Sequence, residues 1–157
     1  MEQQINISAN LEIKLRTAMN LDKGFVYELM RNHLQSYFDK YTRERWSRIK
    51  FKEKFNPKQI KIIEHDGMSI GFFEYYQKEN YIYFTHLHIS QDYQGRYIGN
   101  EIFKLVKEEA TSKDLSIKCK VFKENKRSLK LLEINGFKET GKIPEEDSLI
   151  MEFKTIK

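Results

Sequence analysis

Apolar and charged residues alternate over residues 11–15, the period of a half-buried strand. Asn20 or Asp22 then offers the side-chain cap expected where a helix starts. Val26, Leu29, Met30, His33, Leu34, Tyr37, Phe38 and Tyr41 recur three and four apart, which places them on one face of that helix. A second helix is expected over 42–55, with Trp46 and Ile49 turned inward. Asn56-Pro57 should end it, because proline disfavours helical geometry in the residue before it. Strands follow over 59–65, 68–76 and 81–89. Asp66-Gly67 between the first two suits a primed hairpin turn, and residues 77–80 form the next turn. The third strand is apolar or aromatic on both faces, with Tyr83 and Leu87 on one and Ile82 and Phe84 on the other, so it belongs in the middle of a sheet.

Beyond residue 89 the period changes. A polar loop over 90–96 leads into a helix carrying Ile98, Ile102, Leu105 and Val106 inward. A strand over 116–122, a helix over 125–135 and strands over 137–142 and 149–153 complete the chain. Antiparallel hairpins followed by strand, helix, strand give a mixed, mostly antiparallel central sheet with helices on both faces. The expected fold is α+β, in three layers (α/β/α), as a single domain over residues 1–157.

Composition narrows the function classes. Aromatic residues make up 13% of the chain, enough for a packed core rather than a disordered one. The net charge of +5 favours an anionic partner. Basic and acidic residues alternate, however, and the densest basic stretch, Arg43 to Lys50, reads as a solvated helix face rather than a nucleic-acid surface. No apolar run reaches the roughly 20 residues that cross a bilayer. The opening residues lack the basic and apolar regions of a secretory signal. A single cysteine, Cys119, leaves no intrachain disulfide and reads as core. These features point to the cytoplasm, with no membrane and no nucleic acid as partner; a homodimer is compatible with them.

The chemistry concentrates in Leu87-His88-Ile89-Ser90-Gln91-Asp92-Tyr93-Gln94-Gly95-Arg96-Tyr97-Ile98-Gly99-Asn100. A central strand passes through a short polar loop with two glycines into an amphipathic helix. Backbone N–H groups converge at such a helix start, and the helix dipole adds about half a positive charge there. Phosphate or pyrophosphate suits that site. An ordinary glycine turn before a helix has the same local pattern.

Gln94-Gly95-Arg96-Tyr97-Ile98-Gly99 resembles the coenzyme A loop of the GCN5-related N-acetyltransferase (GNAT) superfamily, Gln/Arg-x-x-Gly-x-Gly/Ala. Asn125, Ser128, Leu129 and Glu133-Ile134-Asn135-Gly136-Phe137 are similar to the superfamily's second block. The resemblance implies a sheet splayed at the cofactor site, acetyl-coenzyme A as co-substrate and a primary amine as acceptor, on a small molecule or a protein. It places Leu87, His88 and Ile89 beside the thioester and pantetheine arm. The backbone of Gln94, Gly95, Arg96, Tyr97, Ile98, Gly99 and Asn100 would lie on the pyrophosphate, with Asn125 and Ser128 at the pantetheine arm. Lys126, Arg127 and Lys130 are expected within reach of the ribose phosphate.

Two positions depart from the pattern. Tyr97 stands where glycine is usual; a positive φ there would strain tyrosine by roughly 1–2 kcal/mol, and the expectation is instead a backbone already helical, with the ring pointing outward. Leu132 replaces a tyrosine that protonates the departing thiolate in many members. A catalytically weak or inactive acyl-coenzyme A binding module is the alternative this departure raises. His86, His88 and Glu74 are the candidates for removing a proton from the amine, and a backbone N–H near His88 or Ile89 is the candidate donor to the developing oxyanion. The His-x-His pair lacks a third metal ligand, so no metal is expected.

Overall fold

The computed structural model describes residues 2–155. Eight strands form one sheet in the order β1-β2-β3-β4-β5-β6-β8-β7, accompanied among the described residues by four α-helices. The strands are β1 (Gln3–Ser8), β2 (Leu11–Thr17), β3 (Ile60–His65), β4 (Met68–Gln77), β5 (Tyr81–Ile89), β6 (Ser116–Phe122), β7 (Lys138–Ile143) and β8 (Ser148–Phe153). The helices are α1 (Lys23–Tyr41), α2 (Arg48–Lys54), α3 (Ile98–Ser112) and α4 (Lys126–Ile134). The expected α+β class with a mixed, mostly antiparallel sheet holds. β5 and β6 pair in parallel, while β1·β2, β2·β3, β3·β4, β6·β8 and β7·β8 are antiparallel. No helix among the described residues is long and apolar enough to cross a membrane.

The chain forms two compact units, residues 1–74 with 86–98, and residues 75–85 with 99–157. In the first, α1 and α2 lay Val26, Tyr27, Leu29, Met30 and Phe51 against Ile60, Ile62 and Phe72. The Trp46 indole N–H donates to the Tyr27 hydroxyl at 3.1 Å, and the Tyr27 ring meets Phe51 edge-on at 4.9 Å. The Asp66-Gly67 turn has positive φ at both central residues, 49° and 76°, as a type I′ turn requires. In the second unit, Phe103 of α3 packs between Phe84 and Phe137 at 4.8 and 5.4 Å, over a core that includes Val106, Ala110 and Ile117. The parallel β5·β6 register covers Tyr81 to Tyr83 against Ser116 to Lys118, whereas β5 continues to Ile89 and β6 to Phe122.

Four sequence expectations change. β1 was not anticipated: it is a polar edge strand with only Ile5 and Ile7 half-buried, so its alternation is faint. The helix expected over 42–55 shrinks to Arg48–Lys54. Arg45 takes a φ of 54°, which no helix accommodates, and Ser47 caps the shorter helix by accepting from the Lys50 amide. Ile49, expected inward, is 71% exposed. Asp22 makes no side-chain cap on α1; its carboxylate accepts from the Met19 amide at 2.7 Å and from both Arg16 terminal nitrogens at 2.8 Å.

Candidate functional site

β5 delivers three consecutive site candidates, Leu87, His88 and Ile89, and its end is tied down on two sides. The Ser90 amide donates to the Ile70 carbonyl at 2.8 Å, and the Gln94 side-chain amide reaches back to the Ile89 carbonyl at 2.8 Å. Gly71 of β4 lies so close that a Cβ there would stand 2.6 Å from the His88 carbonyl oxygen and 3.3 Å from the Ile89 Cα. Only glycine allows this approach. Sequence reasoning did not single out Gly71, because a glycine inside a strand pattern does not reveal which neighbour approaches it.

The loop after β5 makes a turn of 3₁₀ helix over Gln91–Tyr93 and reaches α3 through two residues with positive φ, Gly95 at 76° and Tyr97 at 65°. The expectation that Tyr97 is already helical is corrected: it occupies the left-handed region, which costs a side-chain-bearing residue roughly 1–2 kcal/mol. Its ring does point outward, 73% exposed. The Tyr93 and Gln94 amides donate to the carbonyls of Ser90 and Gln91. Gln94, at φ −73° and ψ 152°, and Gly95, at φ 76°, are the central residues of a turn, and α3 begins at Ile98. The first amides of a helix have no partner within it, so Ile98, Gly99 and Asn100 present donors with the dipole behind them, which suits diphosphate oxygens. The residues present therefore fit the phosphate end of coenzyme A.

The predicted second block is an N-capped helix. The Asn125 side chain accepts from the Ser128 amide at 3.3 Å, opening α4. Lys126, Arg127 and Lys130 are exposed. The Asn100 side-chain oxygen accepts from Asn135 at 2.9 Å, and Lys107 donates to the Asn135 carbonyl at 3.1 Å, so α3 holds the end of α4. Leu132 is buried and has no proton to give. Cys119 is also buried, which pushes its thiol up to about 12 and leaves it a core residue.

The proton-accepting candidates are brought together by a residue that the sequence reading placed on the inward face of α1 without a role. His33 Nδ1 lies 2.8 Å from His88 Nδ1, and His88 Nε2 lies 3.2 Å from His86 Nδ1. Both ring nitrogens of His88 are thus engaged by histidines rather than by Glu74. Phe72 covers the His88 ring at 5.2 Å, and only 6% of the residue is exposed. Burial, helped by His86 and His33, holds His88 well below the usual histidine pKa. Glu74 sits on β4 opposite Ile60 and shares the Phe72 face by strand alternation. Among the described residues no group of three histidine, cysteine or carboxylate side chains is arranged to hold a metal ion.

Comparison with known proteins identifies the fold and the family. A family model described as "Acetyltransferase (GNAT) family" matches residues 26–137. The fold is similar to the PaiA N-acetyltransferase from Thermoplasma acidophilum, solved with coenzyme A: 18% identity, 91% of this chain and 99% of that one, TM-score 0.71. It is similar to the ribosomal-protein-S18-alanine N-acetyltransferase from Escherichia coli, with 15% identity, 90% and 93% coverage and a TM-score of 0.66. It also resembles part of N-acetylglutamate synthase from Neisseria gonorrhoeae, with 15% identity over 92% of this chain and 35% of that one and a TM-score of 0.69. No curated protein matches the sequence closely enough to count as a relative.

Proposed function

Because the chain belongs to the acetyltransferase (GNAT) family, and is thus an acyltransferase using acetyl-coenzyme A, we propose how its residues divide the work. The acetyl group passes by direct attack of a primary amine on the thioester. The amides from Gly95 to Asn100 hold the pyrophosphate, the backbone of Leu87 to Ile89 lies along the pantetheine arm, and Asn125 and Ser128 meet that arm at the start of α4. The start of α3 at Ile98, reached from β5 through the turn at Gly95, carries this reading.

Attack requires an amine without its extra proton, held close to the carbonyl carbon. Of the candidate bases, His88 is buried with both nitrogens engaged, so it cannot meet the amine itself. His86, half-buried and bonded to His88 through Nδ1, is the proton acceptor in this reading. Glu74 serves as a neighbouring carboxylate. The leaving thiolate needs no tyrosine at position 132, because a thiol pKa of about 8.5 makes its anion a fair leaving group near neutral pH. A single-domain protein acting in the cytoplasm remains part of this proposal, with sequence expectations as its support.

One neighbour is named for a ribosomal-protein alanine and another for N-acetylglutamate, so the fold does not choose between a small-molecule amine and a protein amine. Thiol release from acetyl-coenzyme A, measured across a panel of primary amines, tests the reading. Amine-dependent release is expected, with His86→Phe lowering it about 100-fold or more while acetyl-coenzyme A still binds. Binding without release for every amine would favour the acyl-coenzyme A binding module that Leu132 raises.

A further inference from the structure

We propose that α2 and the chain on either side of it form a docking surface for an acidic protein segment that carries an apolar residue among its carboxylates. The surface lies within the first compact unit, and the inference stands apart from the acetyl-transfer reading. The charge of the whole chain is concentrated there. Seven of the 28 basic residues and two of the 23 acidic ones fall between Arg43 and Lys58, a surplus of +5. The rest of the chain carries 21 of each sign, so this segment holds the entire formal excess.

Arg43, Arg45, Arg48, Lys52, Lys54 and Lys58 are all exposed. Lys50 pairs with Glu44, and the Arg48 guanidinium lies over the Tyr27 ring at 5.1 Å. Arg43, Arg45, Lys52, Lys54 and Lys58 make no ion pair among the described residues. Of the two carboxylates, Glu44 is engaged by Lys50, with Lys54 also acting on it, which leaves Glu53. Like charges at this density repel one another, and a partner that brings carboxylates relieves the repulsion.

The apolar element is Ile49. The chain turns at Arg45, whose φ of 54° is a left-handed value that a side-chain-bearing residue adopts at a cost, and α2 starts only after Ser47. Phe51 is then the buried residue of the helix, and Ile49 is left 71% exposed. Ile49 lies three and four residues from Lys52 and Glu53, so the three share one helical face. An apolar side chain flanked by cations fits a protein segment better than it fits other polyanions. A single-stranded nucleic acid stacks its bases on open aromatic rings, whereas the three aromatic residues of this segment are packed against others. Trp46 meets Tyr27 at 5.8 Å and Phe38 at 5.6 Å, Phe51 is buried, and Phe55 meets Phe51 at 5.7 Å. A membrane surface takes up a helix through a whole apolar face, and Ile49 is the sole apolar residue among the exposed positions of α2.

Fluorescence anisotropy of a labelled glutamate-rich peptide with one central leucine, titrated with the full chain, tests the surface. Binding is expected at about 50 mM salt and should weaken about tenfold or more at about 300 mM, as screening shortens the reach of the cations. Ile49→Ser should weaken it about fivefold, and a double variant, Lys52→Glu with Lys58→Glu, about tenfold or more. Both variants should keep the melting temperature and the acetyl-coenzyme A affinity of the unaltered chain, since the exposed positions they alter lie outside the core and the loop before α3. Should the charge reversal lower the melting temperature, Lys52→Gln with Lys58→Gln takes its place, and weaker peptide binding is expected again. Absence of peptide binding at low salt would overturn the proposal. A charge effect without an Ile49 effect would reduce the surface to general attraction for anions and overturn it as well. So would tighter binding of a charge-matched oligouridylate or of phosphatidylserine vesicles, which would assign the surface to a nucleic acid or a lipid headgroup.

Discussion

Tyr97 holds a left-handed backbone immediately before α3 with most of the residue in solvent. Tyr97→Gly should stabilise the fold by about 0.5–1 kcal/mol, the left-handed cost less the extra chain entropy glycine loses on folding. A urea midpoint at unchanged m-value checks this. His88 gives a pH dependence whose sign follows from its burial. Its folded pKa is depressed, while the unfolded chain protonates near about 6.5. Below that pH the unfolded state binds a proton that the folded state does not. Stability is therefore complete above about pH 6.5 and falls on acidification by at most about 1.4 kcal/mol per pH unit. Urea titrations at about pH 7.5, 6.5 and 5.5 should show the loss, and His88→Gln should flatten it. The hairpin turn at Asp66-Gly67 and the glycine-containing loop that leads into α3 were legible, because each is a local signal. His33 was legible only as a member of a helical stripe, since periodicity assigns a face but names no partner.

At the scale of elements, the site depends on how closely β4 approaches β5. Gly71→Ala would drive a methyl into the His88 carbonyl and the Ile89 backbone. It should cost about 1–3 kcal/mol and weaken acetyl-coenzyme A binding, as seen in thermal melts and calorimetry. A stability loss with unchanged affinity would remove the backbone of residues 88 and 89 from the cofactor site. β5 and β6 fall on their expected residues because apolar, β-branched and aromatic runs bounded by turns define them locally. α2 does not, because its apolar spacing continued through residues whose backbone is committed elsewhere. The Trp46 amide donates to Asp39 at 2.8 Å, and Thr42 leaves the helix by bonding its hydroxyl to the Phe38 carbonyl. Such side-chain bonds compete with helical geometry and leave no trace in a periodicity.

For the whole molecule, β4 and β5 each run through both compact units, so no linker divides the chain. Trp46 fluorescence, which reports the first unit, and far-UV circular dichroism should therefore follow one unfolding transition; separated midpoints would mean two domains. Acetyl-coenzyme A at about one hundred times its Kd should raise stability by about 2.7 kcal/mol. The sequence alone determined the order and type of most elements, the I′ turn and the glycine-containing loop that opens α3, because each is written in neighbouring residues. The tertiary structure alone decided that β8 lies between β6 and β7, that Gly71 touches the His88 carbonyl, and that His33 meets His88 across a separation of 55 residues. Those contacts follow from the folding of distant segments onto a common core, and no spacing along the chain encodes which side chains will meet there.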